Sequence, residues 1–129
     1  EEAGMEVIDC LIVPDEKSEI VKKLLHFSDQ RQADLIFTTG GTGFSKRDVT
    51  PEATKQVVER EVPGIGEALR SYSMTITPKA MLSRQTAGIR GNTLIINLPG
   101  SPKACRENIE YIMKPLKHGL GILSGRESD

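Results

Sequence analysis

The densest concentration of residues able to do chemistry is the run Thr38-Thr39-Gly40-Gly41-Thr42-Gly43. Glycines let backbone N–H groups approach an anion closely, and the threonines add hydroxyl donors. That combination suits a phosphate group, although a tight turn needing only glycine explains the same residues. The run is not a P-loop, because Gly-x-x-x-x-Gly-Lys-Ser/Thr is absent. It is not a dinucleotide fingerprint either, because Lys46 stands where the third glycine belongs.

Lys46, Arg47 and Asp48 follow. Magnesium takes one or two carboxylates together with phosphate oxygens, so Asp48 beside a phosphate cradle suits a metal site. The two cations would neutralise phosphate. A loop aspartate bonded to its own backbone is the plainer reading. Asp15 follows Pro14 and precedes a helical pattern. It reads either as a helix N-cap or as a second carboxylate on the same rim as Asp48, the pair sharing one metal ion.

Asn97-Leu98-Pro99-Gly100-Ser101-Pro102 closes one apolar run and opens another. Ser101 reads as an N-cap and Pro102 as the first helical residue. A helix N-terminus with a hydroxyl is also an anion site. Ser83-Arg84 and Arg90 lie in a poorly patterned stretch, where an arginine could clamp phosphate or simply lie on the surface. His26 and His118 fall in helical patterns and read as packing or surface residues. No Ser/His/Asp or Cys/His arrangement is visible.

Strands alternating with helices must position these residues. Met5 to Val13 reads as a strand rich in Val and Ile, with Glu1 to Gly4 as the end of a helix before it. Ile20, Val21, Leu24 and Leu25 predict an amphipathic helix over about 16–30. Asp34 to Thr38 and Thr93 to Leu98 read as strands. Thr50-Pro51 and Pro63 start helices, Thr50 as the cap. Residues 78–92 are mixed. The helix after Pro102 is expected to break at Pro115, with a last helix to about Leu123 and a loose polar tail. The pattern predicts an α/β fold with a mostly parallel sheet covered on both faces. Ligands of such sheets bind beyond the carboxyl ends of the strands.

Length and composition bound the rest. The 129 residues favour one domain with its own core. Net charge is −1 and the cations are scattered, which argues against nucleic acid or an anionic membrane as partner. Aromatic residues at 4% argue against base stacking. Cys10 and Cys105 have no metal-type spacing and read as reduced, partly buried thiols of a cytoplasmic protein. No apolar run approaches the roughly 20 residues of a membrane span.

Taken together the segments resemble the molybdopterin adenylyltransferase family: MogA, its relative MoaB and the N-terminal domain of gephyrin. The resemblance rests on Pro14-Asp15-Glu16, the 38–43 run, Arg47-Asp48-Val49-Thr50-Pro51-Glu52-Ala53-Thr54, Met81-Leu82-Ser83-Arg84, Gly88-Ile89-Arg90-Gly91 and Asn97-Leu98-Pro99-Gly100-Ser101. It spans essentially the whole chain, and the last of these stretches, with Leu82-Ser83-Arg84, leans toward the MogA and gephyrin branch. It implies a three-layer α/β/α fold and a homotrimer. It implies transfer of AMP from ATP to the terminal phosphate of molybdopterin, with pyrophosphate released and the product handed to a MoeA-type enzyme. It places Asp15 and Asp48 as the catalytic carboxylates holding Mg²⁺, Gly40, Gly41, Thr42 and Gly43 along the ligand site, and Ser101 at the pterin phosphate. Thr39, Ser83, Arg84, Asn97, Pro99 and Gly100 complete the expected binding set. It further implies that residues 1–129 form one molybdopterin-binding domain lacking an N-terminal strand and most of a first helix. The alternative is a non-catalytic molybdopterin-binding or scaffold domain, MoaB-like or a module of a MoeA- or CinA-like protein.

Overall fold

The computed structural model describes residues 4–128. Its elements in chain order are α1 (Lys17–Leu25), β1 (Leu35–Thr39), α2 (Thr50–Val57), β2 (Arg60–Glu61), α3 (Pro63–Met74), β3 (Ala87–Arg90), β4 (Thr93–Leu98) and α4 (Pro102–Leu123). Short helical turns occupy His26–Gln30 and Pro78–Leu82.

β4 organises the molecule. Every one of its residues is buried, as expected of a central strand with a near-continuous apolar run. Side chains alternate across a strand, so β4 feeds two cores. Leu94, Ile96 and Leu98 pack with Leu69 of α3 and Ile112, Leu116 and Leu120 of α4. Ile95 faces the other way, against Leu24 of α1 and Val57 of α2. Helices therefore cover both faces, which gives the three-layer α/β/α arrangement. Among the described residues no helix is long and apolar enough to cross a membrane.

The sheet order is β1-β4-β3-β2. The α/β class holds, but the described strands form a mixed sheet rather than a mostly parallel one. β1 and β4 run parallel, whereas β3 pairs antiparallel with both β4 and β2. The cause is local: the turn at Gly91-Asn92, with Gly91 at φ 57°, joins β3 to β4 as a hairpin.

Five other expectations change. Residues 5–13 form no strand; Val7, Ile8, Leu11 and Ile12 are exposed, because none of the described strands pairs with them. Cys10 lies in this segment and is exposed, not partly buried. The first helix stays α-helical only to Leu25; the buried Ser28 hydroxyl donates to the Leu24 carbonyl at 2.9 Å within a wider π-turn. α4 runs through Pro115 without a break. Interior proline costs about 3 kcal/mol, but Ile112, Leu116 and Leu120 form one buried stripe spanning it, each side chain contributing roughly 1.5–3 kcal/mol. Beyond α4 the tail folds back, the Arg126 N–H donating to the Gly121 carbonyl at 2.8 Å. The expected helix end at residues 1–4 lies almost wholly outside the described residues.

Candidate functional site

β1 and β4 are parallel and in register through Thr39 opposite Leu98, so both chains leave the sheet at the same edge. Two of the sequence candidates meet there. The Gly40 N–H donates to the Leu98 carbonyl at 3.0 Å. A Cβ built on Gly100 would lie 3.3 Å from the Gly40 Cα, so a side chain there would press the two turns apart by a few tenths of an ångström. Thr39, Pro99 and Gly100 sit at this junction. Ser101 is exposed just beyond it and caps α4, its Oγ accepting from the Ala104 N–H at 3.4 Å.

The glycine loop turns its acceptors inward. The Gly41 carbonyl takes the Thr50 N–H at 3.2 Å, and the Thr42 carbonyl takes the Arg84 N–H at 2.8 Å. The Gly43 carbonyl takes Arg84 Nε at 2.8 Å. By contrast, the N–H groups of Gly41, Thr42 and Gly43 donate to no protein acceptor among the described residues. Gly41 has φ 70°, and a Cβ there would collide with the Thr50 hydroxyl. Thr50 is therefore the wall behind the loop and the first residue of α2, not its cap, which is Val49.

Asp48 is half-buried at the far end of the loop. Its Oδ2 accepts from the Ser45 N–H at 2.9 Å, and its own N–H donates to the Ser45 carbonyl at 2.9 Å. The plainer reading of a loop aspartate bonded to its own backbone is thus met, with the other carboxylate oxygen left over. Asp15 is exposed ahead of α1, whose N-cap is Glu16, so Asp15 is not the cap. The hydrogen bonds that hold the glycine loop do not involve Asp15. Among the described residues no three His, Cys, Asp or Glu side chains gather as a ready-made metal cluster.

Arg84 and Ser83 are both engaged with protein groups. Arg84 Nη1 donates to Glu52 Oε2 at 2.6 Å, and Nη2 donates to the Asp48 carbonyl at 2.6 Å and to Glu52 Oε1 at 3.3 Å. The hydrogen bond to Glu52 holds the Arg84 pKa above its ordinary value, and the same bond holds the Glu52 carboxyl below the usual range. Ser83 Oγ donates to Gln85 Oε1 at 3.2 Å. Ser83 and Arg84 line a cleft of about 410 Å³ with Glu52, Lys55, Arg70 and Gln85, which takes in none of residues 40–43. Arg90 grips Asp29 through two bonds of 2.9 and 3.0 Å.

Asn97, expected in the binding set, is completely buried. Its Nδ2 donates to the hydroxyls of Thr38 and Thr54, each at 2.9 Å, and its Oδ1 accepts the Thr86 N–H at 3.2 Å. It pins the end of β1, the end of β4, α2 and the strand entering β3 at one point. Thr54 and Glu52, named only within the matching stretch, thus support the site, as does Thr50, which was read only as a helix cap. Thr50 and Thr54 are buried on one face of α2, whereas Glu52 is exposed on another, where it meets Arg84.

Residues 1–118 match the family profile described as "Probable molybdopterin binding domain". A molybdopterin adenylyltransferase of Helicobacter pylori J99 is 48% identical over 114 residues, covering 88% of this chain and 65% of the relative. That of Escherichia coli K12 is 46% identical over 105 residues, covering 81% of this chain and 54% of the relative. The chain thus spans less than two thirds of either. The crystal structure of the molybdopterin biosynthesis enzyme MoaB from Thermus thermophilus superposes with a TM-score of 0.87 at 49% identity, covering 93% of this chain and 76% of that one. Identity is similar to relatives on either side of the adenylyltransferase and MoaB names.

Proposed function

The chain belongs to the molybdopterin-binding domain family, and we propose that it transfers AMP from ATP to the terminal phosphate of molybdopterin. A terminal phosphate oxygen of molybdopterin forms a bond to the α-phosphorus of ATP as the bond to the departing pyrophosphate breaks. The observation that carries this reading is the polarity of the glycine loop. Its carbonyls are engaged by Arg84 and Thr50, while three successive N–H groups face no protein acceptor among the described residues. Such a row of donors is matched to phosphate oxygens.

The chain's own residues then act by positioning. The amides of Gly41, Thr42 and Gly43 bind phosphate oxygens, and Ser101 at the N-terminus of α4 binds the pterin phosphate. Holding two anionic groups in line is most of the work in phosphoryl transfer, and no covalent nucleophile is needed. Magnesium fits this donor set as an ion arriving with the nucleotide, since it needs only one or two carboxylates beside phosphate oxygens. Asp48, with one oxygen tethered and one left over, would hold it, and Asp15 is proposed as the second carboxylate. When bound, it would offset the charge repulsion between the two phosphates. The assembly proposed is a homotrimer, with the adenylated product passed to a MoeA-type enzyme.

Mixing the protein with ATP, magnesium and molybdopterin tests the reading. Pyrophosphate is expected to appear in step with adenylated pterin. Heat of pterin binding with no pyrophosphate would instead place the chain among non-catalytic binders.

A further inference from the structure

A guanidinium carries five N–H donors. In Arg84 four are engaged: Nε on the Gly43 carbonyl, Nη1 on Glu52, and Nη2 on both the Asp48 carbonyl and Glu52. Clamping a phosphate takes two parallel N–H groups on one edge. Among the described residues only one donor, on Nη1, is left without a protein acceptor. Arg84 cannot take phosphate in that manner without releasing the loop.

We propose that Arg84 and Glu52 form a positioning clamp for Asp48, and that Arg84 does not contact phosphate. The clamp is anchored on α2, where Pro51, Ala53 and Thr54 on either side of Glu52 are buried. From Glu52 the connection runs through the guanidinium to the carbonyls at both ends of the 43–48 segment. The Arg84 N–H adds the Thr42 carbonyl. The loop backbone is thereby tied at residues 42, 43 and 48, and the Ser45 N–H then sets the Asp48 carboxylate. The two side chains are 35% and 45% exposed. An ion pair that open contributes little to global stability. Its effect is geometric, which separates it from a merely structural contact.

The catalytic arm of this inference rests on the adenylyl-transfer reading; the conformational arm does not. The test uses Glu52→Gln, which keeps shape, and Arg84→Lys, which keeps charge but loses the fork. Deuterium uptake over residues 42–48 is measured on the protein alone, beside kcat and KM for ATP. In both variants uptake over 42–48 is expected to rise severalfold. kcat is expected to fall about 100-fold, the scale of a displacement of about 1 Å, with KM for ATP within about threefold of the parent. Unchanged uptake in Glu52→Gln overturns the clamp, as does a raised KM for ATP at unchanged kcat, which marks a direct phosphate contact. If the parent protein releases no pyrophosphate, the activity reading fails while the uptake measurement still decides the clamp.

Discussion

The Asp48 carboxylate occupies the space that a side chain on Gly43 would need. A Cβ at position 43 would stand 2.9 Å from Asp48 Oδ2, the same oxygen that accepts the Ser45 N–H. Gly43 is not among the residues with positive φ, unlike Gly40 at 81° and Gly41 at 70°. What glycine gives there is room for the Asp48 carboxylate, not backbone freedom.

Gly43→Ala therefore separates space from strain. The backbone accepts alanine, but the carboxylate has to move. We expect AMP transfer to drop by about 100-fold, as for a reacting group displaced by about 1 Å, with little change in Tm. Steady-state kinetics and a melting curve on the same sample check it. Full activity would mean that the Asp48 position is not critical.

Asn97→Ala should act on stability first. Removing the amide leaves the fully buried Thr54 hydroxyl, and the half-buried Thr38 hydroxyl and Thr86 N–H, without their partner. A cost of about 2–3 kcal/mol is expected, most of it from the buried Thr54 hydroxyl. Urea unfolding measures it, and a loss under about 1 kcal/mol would show that the network relaxes around the gap.

Much of this frame was legible in the residues. Leu94-Ile95-Ile96 announced β4, and Pro51 and Pro63 marked two helix starts, because these signals are local. The hairpin of β3 with β4 was not read, since Ala87-Gly88 is too small to look like a strand, although Gly91-Asn92 was a usable turn signal. Residues 5–13 look like a strand because Val and Ile favour one, yet strand formation depends on a partner elsewhere in the chain. The same limit applies to the site. The glycine loop and Asp48 declare themselves by type and spacing. The role of Arg84 depends on carbonyls 36 and 41 positions away, which composition does not encode.

Acid should loosen the Arg84–Glu52 pair in a defined direction. The folded-state pKa of Glu52 is depressed below 4.5, chiefly by its bond from Arg84. Its contribution is therefore fully present above the unfolded-state value and is lost as pH falls through the lowered folded value. The small stability gap between the parent and Glu52→Gln should exist at pH 7 and close on acidification. Paired melting curves across pH check this; a gap that widens in acid contradicts it.

Ser101→Ala addresses the pterin end. The cap bond is long at 3.4 Å, so stability should fall by only about 0.5 kcal/mol. Losing a hydrogen bond to a charged phosphate should weaken molybdopterin binding about tenfold. Calorimetric titration gives both the affinity and its change. Unaltered affinity would return Ser101 to the role of a helix cap alone.

The most direct measurement is pyrophosphate release by Asp48→Asn, run beside the parent with ATP, magnesium and molybdopterin, and paired with a molybdopterin titration. The expected result is release reduced to background with molybdopterin affinity nearly unchanged, since the loop amides and Ser101 remain. Turnover equal to the parent's would remove Asp48 from the chemistry and contradict the account.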